Sequence, residues 1–177
     1  MEIKATLNKP YTDKQRADFI VQYNHQLGYE IKETETALQA WGLDDTELLQ
    51  QAKENKYNEA NNKAREYLET GSALFEFEKD ENIYHIEATD GNIAKIGLKA
   101  TALLLAQDYT TTFPWNTKED ININLNALEG KAIAEGLGAI QDEVWTVKFP
   151  YYITLIDNAT TVDEVNAIVI DYTQTGG

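Results

Sequence analysis

The sequence predicts an α+β fold: a small N-terminal strand-helix-hairpin unit, a polar connecting helix, and a C-terminal module of short antiparallel strands packed on three helices. Three observations carry that reading. Across residues 126–158, Ile133, Leu137, Ile140, Val144, Val147 and Tyr151 recur at three- and four-residue spacings, which places them in one apolar stripe along a helix. Short alternating segments, Ile3, Ala5 and Leu7 or Ile121, Ile123 and Leu125, mark strands with one buried face. Residues 46–69 hold strong helix formers without proline or glycine, yet their apolar face is thin.

In chain order, the strand at 2–7 ends at Pro10. Thr12 and Gln15 have capping-box spacing, and Ala17, Ile20, Tyr23 and Leu27 continue a helix over 13–27 until Gly28 stops it. Two alternating runs, Tyr29 to Glu33 and Thr36 to Ala40, predict a hairpin turning at 33–35. This first module spans 1–43. The connecting helix occupies 44–71, closed by Gly71, with Leu49, Ala52, Tyr57, Ala60, Ala64, Tyr67 and Leu68 as its narrow seam. Such a helix serves either as a spacer or as a coiled contact with another copy, so a homo-oligomer built through 46–69 is one expectation.

The third module, 72–177, opens with strands at Phe75–Phe77 and 83–86 around a turn at 79–82. Asp90-Gly91 reads as a chain break. Ile93, Ile96, Ala100, Leu103 and Leu104 form a helical stripe that Leu98 and Leu105 widen. A second strand pair covers 111–115 and 120–125, after which Asn126 and Glu129 cap the long helix and Pro150 is expected to kink or end it. The last helix starts at Thr161, with Glu164 at capping-box spacing, and carries Val165, Ile168 and Tyr172; Thr175-Gly176-Gly177 is expected to fray.

Charge is the most unusual global property: 15 Lys and Arg against 30 Asp and Glu give −15 over 177 residues. That balance repels nucleic acid and anionic membrane and favours basic partners or solubility alone. With no cysteine, disulfide and thiol chemistry are excluded. The start lacks a positive region followed by an apolar run, and no apolar run approaches about 18 residues, so the expected product is soluble and made in a cytoplasm.

Catalytic and metal-binding patterns do not emerge. His25 has no Glu or His at i±4, and His85 reads as an ordinary strand histidine between Tyr84 and Ile86. Gly130, Gly136 and Gly138 fall inside the helical stripe, where they favour close helix packing over phosphate binding, and Lys131 belongs to no GxxxxGK motif. Ser72, the single serine, has no histidine near it in sequence. The acidic pairs Asp44-Asp45 and Asp80-Glu81 lack calcium-loop spacing. The expectation is therefore no enzyme, no cofactor and no metal.

Contact-forming residues are better candidates. Trp145, Phe149 and Tyr152 flank the long stripe and read as widening its buried face. Residues 43–90 carry 13 acids against five bases, and no base follows Lys148. The candidate partner-binding residues are the acids of that segment, Glu54, Glu59, Glu66, Glu69, Glu76 and Glu78; a solvated face is the plain alternative for them.

Read as ordered motifs, Leu7-Asn8-Lys9-Pro10-Tyr11-Thr12 followed by Ala17-Asp18-Phe19-Ile20-Val21 and Tyr23-Asn24 resembles the N-terminal region of small phage and prophage proteins encoded among tail genes. Residues 62–71, a Trp115 strand, Asp120-Ile121-Asn122-Ile123-Asn124-Leu125, the long helix, and Ala159-Thr160-Thr161 with Val165 are similar to a domain of unknown function found in phage tail-fibre and fibre-accessory proteins. Lys118-Glu119 is an insertion relative to that pattern. The family assigns no catalytic residues. The resemblance implies a phage-encoded, non-enzymatic protein that acts by binding protein partners at the tail or its fibres, made in the host cytoplasm and carried into the virion. A second class competes: small acidic phage proteins also include anti-CRISPR-like inhibitors, which occlude the basic groove of a host defence effector by carrying negative charge. Neither reading involves direct nucleic-acid or membrane binding.

Overall fold

A computed structural model describes residues 1–174. The fold is α+β, with small antiparallel sheets and predominant helix. It divides into two compact units, Met1–Glu54 with Thr160–Asn166, and Asn55–Ala159 with the chain from Ala167 onward. The divisions after Glu54 and after Asn166 fall inside helices, that after Ala159 between two, and residues 160–166, which the sequence reading assigns to the C-terminal module, group with the first unit.

In the first unit, β1 (Glu2–Asn8), β2 (Glu30–Glu33) and β3 (Ala37–Gly42) form an antiparallel sheet in the order β1-β3-β2. A register irregularity between Ile3 and Ala5 breaks the expected alternation, and Ile3 is exposed. Phe19, Leu38 and Ala40 are the buried centre, packed by Leu7, Tyr11, Tyr23 and Tyr29. Helix α1 (Asp13–Ile20) starts at the Thr12/Gln15 capping box and passes into a π-helical turn over Val21–Gln26. Gly28, at φ +72°, then adopts the left-handed conformation that stops it. Helix α2 (Asp45–Glu69) begins at a reciprocal cap that the sequence reading missed. The Asp44 carboxylate accepts from the Glu47 N–H, and Glu47 accepts from that of Asp44, both at 2.9 Å.

The second unit is built on β4 (Leu74–Lys79) paired with β5 (Asn82–Glu87), β6 (Phe113–Asn116) paired with β7 (Asn122–Leu125), α3 (Asp90–Leu105) and the long α4 (Ala127–Glu143). Ile86, Ile96, Leu125, Ile133 and Leu137 are fully buried. Each such side chain contributes about 1.5–3 kcal/mol of transfer free energy. Asn126 and Glu129 form the expected capping box.

Several expectations need correction. Asp90-Gly91 does not break the chain: the Thr89 side chain accepts from the Asn92 N–H, so both residues sit in the first turn of α3. Leu98 and Leu105 do not widen its buried stripe, being 73% and 82% exposed. Ile121 precedes β7 and is exposed. The last helix, α6 (Val162–Ala167), ends before Ile168 and Tyr172, although the Thr161/Glu164 box is present. Residues 175–177 lie outside the described residues.

The long helix departs most instructively. It does not end at Pro150. Instead, Val144–Lys148 widens into a π-helical turn, with the Phe149 N–H reaching the Val144 carbonyl, and α5 (Phe149–Asn158) continues. Proline cannot donate, and its ring crowds the carbonyl four residues back, so a widened turn just before Pro150 relieves both problems. One extra residue in that turn shifts the phase. The inward face after Val144 becomes Tyr152 and Ile156, while Val147 (60% exposed) and Tyr151 turn outward.

Candidate functional site

The outward rotation creates a groove. Val147, Tyr151 and Leu155 stand four residues apart on one exposed side of the π-helical turn and α5, with Val169 opposite them. Together with Glu143, Lys148, Tyr152, Asp171 and Gln174 they enclose about 260 Å³. A concave site with an apolar wall and a few convergent polar groups suits ligand or side-chain binding.

The far wall is the stretch following α6, held without a sheet. Long side chains satisfy its backbone: Lys56 Nζ donates to the Ile168 carbonyl at 3.3 Å, Lys63 Nζ to Ile170 at 3.1 Å and Lys148 Nζ to Tyr172 at 3.1 Å. The Tyr152 hydroxyl donates to the Asp171 carbonyl and accepts its N–H. The Tyr172 ring packs between Tyr67 and Tyr152, and its hydroxyl donates to the Ala60 carbonyl at 3.1 Å. Burial first, and the neighbouring Tyr152 second, push the Tyr172 hydroxyl up to about 12, so it stays a donor. Asp171 is held below the usual carboxylate range by Thr173, through its hydroxyl and its N–H, and is ionised at neutral pH.

Trp145 and Phe149 pack edge to face at 5.5 Å against the core, and Tyr152 is buried, in line with the sequence reading of this trio as core. Leu155, Val169, Glu143, Lys148, Asp171 and Gln174 went unnoticed as site residues. The signal available was Pro150 inside a helical run: a proline there demands a local rearrangement that re-phases everything after it.

The six candidate glutamates sit on two elements. Glu54, Glu59, Glu66 and Glu69 lie on α2, where about 100° per residue puts Glu59 and Glu66 close together around the axis, with Glu69 about 60° away and Glu54 about 140° from Glu59. Glu59 is flanked by Lys56 at 2.8 Å and Lys63 at 3.1 Å, which lower its carboxyl. Glu76 and Glu78 stand on the outer face of β4.

His85 occupies β5 opposite Glu76, and its Nδ1 lies 2.6 Å from Glu119 Oε1. That bond is the main reason the Glu119 carboxyl falls to about 2. His25 is exposed in the π-helical turn after α1, and Ser72 lies on the surface beside Thr70. Gly130 packs on Ala100 and Phe113, Gly136 under the Phe75 ring, and Gly138 faces open space. Close packing therefore explains the first two glycines and not the third. Among the described residues, no group of three or more His, Cys, Asp or Glu is placed to hold a metal ion. Among the described residues, no helix is long and apolar enough to cross a membrane.

No family model, curated protein or solved structure matches the chain.

Proposed function

We propose that this chain is a phage-encoded, non-enzymatic interaction protein associated with the tail or tail fibre, and that it docks its protein partner on the α5 groove. The observation that carries the reading is the exposed row Val147, Tyr151 and Leu155, facing Val169. Apolar side chains gathered around a polar-rimmed concavity mark interaction sites on proteins. The tail assignment rests on the resemblance of residues 7–24 and 62–165 to tail-gene proteins. An anti-CRISPR-like inhibitor is the second reading, favoured by the net charge of −15 that remains after every lysine and arginine is counted.

Mass spectrometry of purified virions and of tail intermediates from infected cells tests the assignment. The chain is expected at a fixed ratio to tail proteins, and that ratio drops at least tenfold for Tyr151→Glu. Absence from both fractions overturns the tail reading. Salt-sensitive binding to a basic defence effector instead supports the inhibitor.

A further inference from the structure

The α5 groove has two chemically different ends. Two contacts fix how its walls run: Lys148 Nζ reaches the Tyr172 carbonyl and the Tyr152 hydroxyl reaches the backbone of Asp171, so the far wall passes α5 in the opposite direction. Val169 therefore stands toward Leu155, and Gln174 toward Glu143, all four lining the groove. The first end is apolar, with Leu155 and Val169 both exposed. The second is acidic: the Glu143 side chain is 52% exposed there, and Asp171 beside Gln174 is ionised.

The cations near the acidic end are already engaged. Lys148, with a side chain only 13% exposed, holds the Tyr172 carbonyl and lies 3.4 Å from Glu143. Lys63 donates to the Ile170 carbonyl and pairs with Glu59 at 3.1 Å. From Phe149 to Gln174 the chain contains no Lys or Arg. Two carboxylates thus share one enclosed ammonium, and the rim is left net negative. Size narrows the occupant further. The groove encloses about 260 Å³, less than the ~300–1,000 Å³ of sites that take a drug-sized ligand. Val147 to Leu155 spans about 12 Å of helix, the length of about four residues of extended chain.

We propose that, within the partner docking already assigned to this groove, the occupant is an extended segment of the partner that carries a leucine-like side chain and, two positions along, a lysine or arginine. The apolar side chain lies between Leu155 and Val169, and the cation reaches the Glu143 and Asp171 end. Residues two apart point to the same side of an extended chain, so both face the groove together. An acidic segment would bring like charges together there, and a neutral one would cover the carboxylates without compensating them.

The probes are four blocked pentapeptides, titrated into the isotope-labelled full chain at about 0.15 M salt, where charges more than ~8 Å apart are largely screened. Acetyl-Lys-Ala-Leu-Ala-Lys-amide offers the pair in both chain directions. Gln or Glu in place of Lys removes or reverses its charge, and Ala in place of Leu keeps the charge alone. Amide NMR shifts are expected to gather at residues 147–155 and 168–174, with the first peptide bound about fivefold or more tightly than each of the other three. Glu143→Gln should weaken that binding about threefold or more. Glu76→Gln, the same charge change at an exposed site on β4, should not. The proposal is overturned by equal or tighter binding of any of the other three peptides, by shifts centred outside the groove, by no saturable shift up to about 10 mM peptide, or by a Glu143→Gln effect no larger than that of Glu76→Gln. Failure here is distinguishable from failure of the tail reading. A chain lost from virions on Tyr151→Glu but indifferent to peptide charge keeps its docking groove and loses only this occupant, whereas basic-peptide binding by a chain absent from virions keeps the occupant and loses the tail.

Discussion

The hydroxyl of Tyr152 closes a two-way hydrogen-bond clasp on the backbone of Asp171, donating to its carbonyl at 2.8 Å and accepting its N–H at 3.0 Å. One side-chain oxygen thus does for residue 171 what a neighbouring strand would do, and it sets the far wall of the groove against α5. Tyr152→Phe leaves both backbone groups without that partner. The expected loss is about 1–3 kcal/mol, with a melting temperature lower by about 2–4 °C per kcal/mol. An unchanged urea midpoint would contradict the clasp.

The phase shift at Val144–Lys148 reverses the forecasts that a regular helix would make for Val147 and Ile156, which stand about 180° apart on such a helix. Ile156, fully buried, should cost about 2–5 kcal/mol when changed to Ala. Val147, at 60% exposure, should tolerate Ser within about 0.5 kcal/mol. Chemical denaturation of the two variants decides between the π-helical turn and an uninterrupted helix. A costly Val147→Ser would favour the latter.

Gly136 and Gly138 lie one turn-fraction apart on α4 and should respond in opposite directions to Ala. A Cβ at Gly136 meets the Phe75 ring, and overpacking of that kind costs about 1–3 kcal/mol. A Cβ at Gly138 meets nothing within 4 Å, so helix propensity alone acts and stability rises by up to about 1 kcal/mol. Paired thermal melts of the two variants measure the sign.

Acid sensitivity follows from Glu119. Its folded-state carboxyl titrates near 2, below the ordinary 4.5, because His85 hydrogen-bonds the ionised form. A depressed carboxylate contributes stability above pH 4.5 and loses that contribution as pH falls through 2. Glu119→Gln should therefore flatten the stability profile between about pH 4.5 and 2, relative to the wild type. An identical acid limb in the variant would remove Glu119 as its source.

The helix starts were legible in the sequence because capping is local. Thr12 with Gln15, Asn126 with Glu129 and Thr161 with Glu164 each close a hydrogen-bonded loop of three residues. The Asp44 and Glu47 cap has the same logic and was equally readable. Strand alternation placed β4, β5 and β7 for a similarly local reason. Six glutamates offered as a partner surface could not be judged that way, since their grouping depends on which helix side each occupies and on the lysines beside them.

By itself the sequence determined the α+β class, the order of the elements, most of their ends and the acidic balance, all of which depend on residues a few positions apart or on composition. Only the tertiary structure decided which apolar side chains are covered. A π-helical turn beside Pro150 re-phased the long helix and moved Val147 and Tyr151 from core to groove. The packing of α3 on α4 covered one side of a helix whose apolar residues run round much of its circumference, leaving Leu98 and Leu105 bare. Periodicity states that a helix has an apolar face; burial depends on what the rest of the chain lays against it, and that is a long-range quantity.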